Sequence, residues 1–145
     1  MSTSVTVFEA VTDDEVRALF PVISQLRPHL AGPDDLLARV KRMRADGFRQ
    51  IWRAGEDGTP VAVAGFRIYE TIYAGLKLYV DDLVTTEARR GLGDGTVLLD
   101  WMVAEARAKG CTELDLDSGV QRFAAHGFYF AKGLHIASYH FKRAV

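Results

Sequence analysis

The segment Arg89–Gly95, Arg-Arg-Gly-Leu-Gly-Asp-Gly, has the residue types and spacing of an anion-binding turn. It follows an apolar, strand-like run, Leu76–Val84, and leads into an amphipathic stretch, Thr96–Lys109. Glycines at alternate positions leave the backbone accessible, and the first N–H groups of a helix have no partner within that helix. These N–H groups, with an arginine beside them, stabilise a phosphate. The segment therefore predicts a site for a phosphate-bearing ligand.

Two other glycine-rich phosphate loops do not match this segment. A Walker loop needs Gly-Lys followed by Ser or Thr, and no lysine lies between Leu78 and Lys109. A dinucleotide fingerprint needs Gly-x-Gly-x-x-Gly at an early strand, whereas the glycines here follow several strands with a different spacing. The pattern that remains is Arg90-x-x-Gly93-x-Gly95 between a strand and a helix. A glycine-rich turn without a ligand stays open as the alternative.

The elements that must position this loop alternate between strands and helices. Alternating or continuous apolar runs predict strands, and apolar residues at three- and four-residue spacing predict helices. The predicted strands are Val5–Ala10, Phe48–Ala54, Val61–Tyr69, Leu76–Thr86, Thr112–Asp117 and Leu134–Phe141. The predicted helices are Asp13–Gln25, capped by Thr12, then Asp34–Ala45, Thr96–Lys109 and Gln121–Lys132. This order predicts one mixed α/β domain over residues 1–145.

Composition is that of an ordinary globular protein. The 145 residues are 48% hydrophobic and 26% charged, which suits one compact domain. A net charge of −1 argues against nucleic acid or an anionic membrane as a partner. No apolar run reaches the length of a membrane span, and no secretory leader is visible. The lone Cys111 excludes an internal disulfide and favours a cytoplasmic protein, and the histidines lack partners at metal-ligand spacing.

Two motifs and the element order resemble the Gcn5-related N-acetyltransferase (GNAT) superfamily over nearly the whole chain. The segment Arg90–Gly95 is similar to the family's Arg/Gln-x-x-Gly-x-Gly/Ala motif for the pyrophosphate of acetyl-CoA. The segment Phe128–Leu134, Phe-Tyr-Phe-Ala-Lys-Gly-Leu, is similar to its Phe-Tyr-x-x-x-Gly-Phe motif in a later helix. The resemblance implies a mixed α+β fold with a central, mostly antiparallel twisted sheet of about six or seven strands, flanked by about four helices.

The resemblance also implies acetyl-CoA as the acyl donor, with no metal. A backbone N–H near Leu83 or Val84 would hold the thioester carbonyl, and the loop would hold the pyrophosphate with Arg90 as counter-charge. Arg122 replaces an asparagine that many family members have, and it could instead reach the CoA phosphates. The residues predicted to bind acetyl-CoA are Leu83, Val84, Arg89, Arg90, Gly91, Leu92, Gly93, Asp94, Gly95, Thr96 and Arg122. The Asp94 side chain is expected to point outward, away from the pyrophosphate.

The resemblance makes Tyr129 the candidate general acid, which would protonate the leaving CoA sulfur. The alternative for this residue is a half-buried structural aromatic. Asp81 and Asp82 precede the proposed carbonyl site, and either could take the proton of the amine or attract a cationic acceptor. The two-residue period of a strand places them on opposite faces. Solvated or structurally hydrogen-bonded sheet charges explain either residue equally well.

Two classes of function remain. The first is an N-acetyltransferase that transfers an acetyl group from acetyl-CoA to a primary amine of a small molecule or protein by direct attack on the thioester. The second is a catalytically silent acyl-CoA-binding or regulatory domain of the same fold, because a fold does not fix an activity. Both classes predict CoA binding, and the first alone predicts thiol release when an amine is present. Dimers are common in the resembling family, so a homodimer is an open expectation.

Overall fold

The computed structural model describes residues 6–145, so Val5, the predicted start of the first strand, lies outside the described residues. The chain divides into two compact units, Met1–Asp115 and Leu116–Val145. The first unit carries nearly all of the sheet and the glycine loop, and the second carries the Phe-Tyr motif.

Within the described residues the sheet has five strands in the order β1-β2-β3-β4-β5. Their bounds are β1 Val7–Glu9, β2 Arg49–Ala54, β3 Pro60–Thr71, β4 Gly75–Thr85 and β5 Glu113–Leu116. The first four strands pair antiparallel with their neighbours. A helix connects β4 to β5, and such a crossover makes this last pair parallel. The prediction of a mixed α+β fold with a mostly antiparallel sheet is therefore confirmed.

Five α-helices accompany the strands in the described part of the chain. Their bounds are α1 Asp13–Ala18, α2 Phe20–Leu26, α3 Pro33–Met43, α4 Asp94–Ala108 and α5 Phe123–Ala131. Thr12 caps α1 as predicted, in a reciprocal capping box with Glu15. The single helix predicted over Asp13–Gln25 is divided in two at Leu19, since Pro21 has no N–H for a continuous helical ladder. None of the helices in residues 6–145 has the length and apolar character needed to cross a membrane.

In the first unit, helices cover both faces of the sheet. Helices α1 to α3 pack on one face, where Leu19, Ile23 and Val40 lie in a buried cluster with Val63 and Val84. On the other face α4 packs against β3 and β4. Burial on both faces fixes the position of β4, so the loop that leads from β4 into α4 begins at a rigid point.

The strand predicted over Leu134–Phe141 is wrong, since these residues form no strand, helix or turn in the structure. The segment alternates in polarity as a strand does, but a strand also needs a neighbouring strand to pair with. The second unit has α5 as its regular element, together with the last residue of β5. Ile136, Tyr139 and Phe141 are exposed. The described sheet therefore has five strands and not the six or seven expected.

Candidate functional site

A β-bulge in β4 shapes the first part of the site. Asp82 pairs with Gly65 and Val80 pairs with Phe66 on β3, so Asp81 is an extra residue in β4. A bulge interrupts the alternation of side chains and is common beside active sites. As a result Asp81 and Asp82 both line one cavity. The prediction that these carboxylates lie on opposite faces is therefore wrong, because the bulge breaks the two-residue period on which it depended.

Each of the two carboxylates is paired with an arginine. Asp81 Oδ2 accepts from Arg67 Nη2 at 2.5 Å, and Arg67 Nε also donates to this carboxylate. Asp82 Oδ1 lies 2.7 Å from Arg27 Nη2, and its side chain is 19% exposed. Burial raises the pKa of Asp82, while Arg27 opposes that rise. A carboxylate with a raised pKa is a better proton acceptor than one with an ordinary pKa, which makes Asp82 a candidate for a general base.

The cavity beside these carboxylates has a volume of about 290 Å³ and lies between α2, α3, β2 and β4. Its apolar lining comes from Ile23, Leu30, Leu36, Val40, Met43 and Phe48, and its polar lining from Arg27, His29, Arg39, Gln50, Asp81 and Asp82. Gly65 makes room for the Phe48 ring, because a Cβ at position 65 would lie 2.6 Å from Phe48 Cζ. The cavity therefore has an extensive apolar lining, and Asp82, the candidate base, is among its polar lining residues.

In the described sheet of the first unit, no strand pairs with the backbone of β4 beyond the bulge on the side away from β3. Thr86 N–H donates to the Val61 carbonyl, and hydrogen-bonded pairs alternate along an antiparallel ladder. By that alternation Val84 exchanges hydrogen bonds with Val63, whereas the N–H of Leu83 points away from β3. The strand β5 starts near Leu76 and has four residues, so it ends before the level of Leu83. Of the two predicted amides, Leu83 is thus the one directed at the open edge.

The glycine loop presents the N–H groups expected of an anion site. Gly91 and Gly93 have φ values of +81° and +92°, a left-handed conformation that favours glycine. Helix α4 begins at Asp94, and the Val97 N–H makes its first bond, to the Gly93 carbonyl. The N–H groups of Asp94, Gly95 and Thr96 consequently have no partner within the helix.

Leu92 and Arg90, the loop residues beside these N–H groups, differ in which of their groups already make hydrogen bonds within the protein. Leu92 N–H donates to the Arg89 carbonyl at 3.4 Å, a long hydrogen bond. The Arg90 side chain is exposed, and its backbone is extended just before Gly91. Arg90 is therefore the loop arginine that remains available to a phosphate.

Asp94 points inward, so the expectation that its side chain points outward is wrong. The residue is 2% exposed. Its Oδ1 lies 2.7 Å from Arg53 Nε on β2, and its Oδ2 lies 3.2 Å from Arg89 Nε. Two cations supply the pairing that a buried carboxylate requires. The Asp94 carboxylate therefore points away from the unpaired N–H groups at the start of α4, and it forms an ion pair with the guanidinium of Arg89.

We expect Asp94→Asn to lower the free energy of unfolding by about 2 kcal/mol, because it removes charge-assisted hydrogen bonds from two arginines. Urea denaturation measures the change as a lower midpoint at an unchanged slope. Glu87→Gln is the matched control, because Glu87 is exposed in the turn that precedes the loop and carries the same charge. Equal midpoints for the two variants would contradict a structural role of the Asp94 pairs.

In the second unit, Tyr129 lies on α5 and is half-buried. Burial raises the pKa of the Tyr129 phenol, and the nearby charge of Arg122 opposes the rise. The phenol therefore keeps its proton at neutral pH and can donate it. Gly133 ends the helix region as predicted, with φ +87° and with the Leu134 N–H bonded to the Tyr129 carbonyl.

Sequence reasoning missed three residues of the site: Arg27, Gln50 and Arg53. Arg27 and Arg53 pair with carboxylates that lie 55 and 41 positions later in the chain. Gln50 lines the cavity from β2. Arginines and glutamines of this kind occur throughout the sequence, and no local pattern marks these positions. Among residues 6–145, no group of three or more His, Cys, Asp or Glu side chains could hold a metal ion.

Comparison with known proteins gives consistent matches over nearly the whole chain. The sequence profile of the Acetyltransferase (GNAT) family matches residues 10–135. The uncharacterized N-acetyltransferase YhdJ of Bacillus subtilis (strain 168) is 32% identical over 141 residues, which cover 94% of this chain and 96% of the relative.

Solved structures show the same fold. A candidate acetyltransferase of Agrobacterium tumefaciens str. C58 superposes with a TM-score of 0.82 at 25% identity, covering 97% of this chain and 100% of the other. The aminoglycoside N-acetyltransferase AAC(6')-Iy in complex with CoA superposes with a TM-score of 0.81 at 15% identity, covering 99% of this chain and 98% of the other.

Proposed function

The chain belongs to the Acetyltransferase (GNAT) family, and on that premise we propose that it transfers an acetyl group from acetyl-CoA to a primary amine. The amine nitrogen attacks the thioester carbonyl carbon, a C–N bond forms, and the C–S bond breaks. The amine loses a proton and the CoA thiolate gains one. The reaction therefore needs a proton acceptor on the amine side, a proton donor on the sulfur side, and donors for the carbonyl oxygen.

One observation carries the acetyl-CoA part of the proposal: the open amides at the start of α4. The N–H groups of Asp94, Gly95 and Thr96 follow two left-handed glycines, and Arg90 lies exposed beside them. Such a helix start favours an anion such as the CoA pyrophosphate. The buried pairing of Asp94 removes a negative side chain from that surface. A CoA-bound structure in the same fold supports this choice of ligand.

The carbonyl and amine parts of the proposal rest on β4. The Leu83 N–H, directed at the open edge of the strand, is the proposed donor to the thioester carbonyl oxygen. Asp82 is the proposed proton acceptor, directly or through water, because its pKa is raised and it lines the cavity. Asp81 is bound by Arg67 through two nitrogens and is assigned a structural role.

The donor on the sulfur side is proposed to be Tyr129. Its raised pKa keeps the phenol protonated at the pH at which a thiolate must be neutralised. Arg122, on the same helix region, is proposed to approach the CoA phosphates.

We expect the protein to release free CoA thiol from acetyl-CoA when a suitable primary amine is present. The measurement is a thiol-release assay over amines of several classes, with acetyl-CoA binding followed separately by protection against thermal unfolding. Reactions without amine, and with a tertiary amine of similar size, control for hydrolysis. Binding of acetyl-CoA without release for any primary amine would contradict the enzymatic proposal and favour a binding domain. Failure of acetyl-CoA to protect the fold would contradict the ligand assignment itself.

A further inference from the structure

Gln50, one of the residues that line the cavity beside Asp82, has a buried side-chain oxygen without a hydrogen-bond partner. Gln50 is 3% exposed and lies on β2 among the residues that line the cavity. Its Oε1 is buried and has no hydrogen-bond partner. A buried acceptor without a partner is unfavourable, so the position of Gln50 suits a ligand that donates a hydrogen bond.

We propose that Gln50 recognises the acceptor amine: a compact amine with an apolar, preferably aromatic body and a hydroxyl group at the end away from the nitrogen. This inference rests on the proposed acetyltransferase function and assigns the substrate class of that site. The hydroxyl donates to Gln50 Oε1, while the amine end lies at Asp82.

The strand register sets the distance between the two ends of the amine. Gln50 pairs with Gly65, and Gly65 pairs with Asp82, so the three residues form one row across β2, β3 and β4. Neighbouring strands lie about 4.8 Å apart, which places the Cα atoms of Gln50 and Asp82 roughly 10 Å apart. The middle residue of the row has no side chain. The Phe48 ring fills the space over Gly65, so a flat molecule that reaches from Gln50 to Asp82 lies over this ring.

The surface between the two polar groups is aromatic and aliphatic. The Phe48 ring packs over Gly65, in the space that a Cβ there would fill. Ile23, Leu36 and Val40 line the same cavity and are buried. An aromatic ring in the ligand would gain apolar burial and ring contacts here.

The size and charge of the cavity disfavour polycationic acceptors. A volume of about 290 Å³ is at the lower end for ligand pockets, which suits a compact molecule. Asp81 and Asp82 are already paired with Arg67 and Arg27. Arg39 adds a further cation to the lining, and its own partner is Asp35. A polyamine or aminoglycoside would find no unpaired carboxylate for its additional ammonium groups.

Tyramine and phenethylamine test this inference, because they differ by a single hydroxyl. We expect kcat/KM to be about tenfold higher for tyramine, the value of one hydrogen bond to an otherwise unsatisfied group. In Gln50→Met, which keeps the length of the side chain, the ratio should fall to about one while phenethylamine is still acetylated. Gln121→Met, at an exposed glutamine in the second unit, should keep the wild-type ratio.

The outcomes separate this inference from the proposed function. Acetylation of both amines with a ratio that Gln50→Met does not change would overturn the role of Gln50 and leave the acetyltransferase function intact. A clear preference for spermidine or an aminoglycoside would overturn the substrate class. If no amine is acetylated, the proposed function fails, and binding of tyramine is then measured by calorimetry in the presence of CoA. Binding that is weakened about tenfold by Gln50→Met would still support the inference, and equal or absent binding would overturn it.

Discussion

Replacement of Tyr129 by phenylalanine is expected to lower kcat by about 10²- to 10⁴-fold, the range of general acid–base catalysis, and to leave the affinity for acetyl-CoA nearly unchanged. The substitution removes one hydroxyl from a half-buried ring and keeps the ring itself. Burial raises the pKa of the phenol, so at neutral pH the wild-type group carries the proton that the leaving thiolate needs. Phenylalanine cannot supply it, and water becomes the donor.

Separate measurement of kcat and of the affinity for acetyl-CoA distinguishes a general-acid role of Tyr129 from a structural role. Loss of a group that acts in the transition state lowers kcat, whereas loss of a structural contact weakens binding or lowers the unfolding midpoint. Tyr139→Phe is the matched control, because it removes the same hydroxyl from an exposed tyrosine of the second unit. A Tyr129→Phe protein with the turnover of the Tyr139→Phe control would exclude the acid role.

Protonation of the leaving thiolate by Tyr129 also predicts how kcat depends on pH. A general acid acts in its protonated form, so kcat falls as the pH rises through its pKa. Because the pKa of Tyr129 is raised, that fall is expected only at strongly alkaline pH. A protein with activity that declines near neutrality on the alkaline side would therefore point to a different acid.

The parts of the site that the sequence predicts well are local in the chain. The glycine loop and α4 follow from glycines with left-handed backbone and an apolar helical stripe, and these depend on neighbouring residues alone. The Thr12 cap is similarly local, since its partner Glu15 is three positions away. Motifs of this kind identify a helix start that can bind an anion without knowledge of the tertiary structure.

The parts that the sequence does not predict depend on contacts between distant segments. The bulge at Asp81 arises from the register of β3 against β4, and register is a property of a pair of strands. The inward orientation of Asp94 depends on Arg53, which reaches it from β2. The absence of a strand over Leu134–Phe141 has the same origin. Alternating polarity defines an apolar side of the segment, but it does not supply a neighbouring strand for the backbone to pair with.

The bulge also explains why different roles are proposed for two adjacent acids. Without it, alternation would send Asp81 and Asp82 to opposite faces. With it, both reach one cavity, where Arg67 binds Asp81 through two nitrogens and Arg27 pairs with Asp82. Burial then raises the pKa of Asp82. One irregularity in β4 therefore yields a structural carboxylate and a candidate base side by side.

Asp82→Asn is expected to lower kcat/KM by about 10²- to 10⁴-fold, because the amide cannot accept the proton of the attacking amine. Asp81→Asn is the matched comparison, one position away in the same cavity, and we expect a much smaller loss of activity from it. Similar losses in the two variants would show that the charge of the cavity, and not a base at Asp82, supports turnover. Thermal unfolding of each variant separates activity from folding.

The pH profile identifies the base independently of the size of that loss. A base acts when deprotonated, so kcat/KM falls as the pH drops through its pKa, and the raised pKa of Asp82 places this limb above that of an ordinary aspartate. Arg27 opposes the rise, whereas the charge of Asp81 adds to it. Arg27→Gln is therefore expected to move the acidic limb to higher pH, and Asp81→Asn to move it lower. An acidic limb that persists in Asp82→Asn, or that stays in place in Arg27→Gln, would assign the titration to another group.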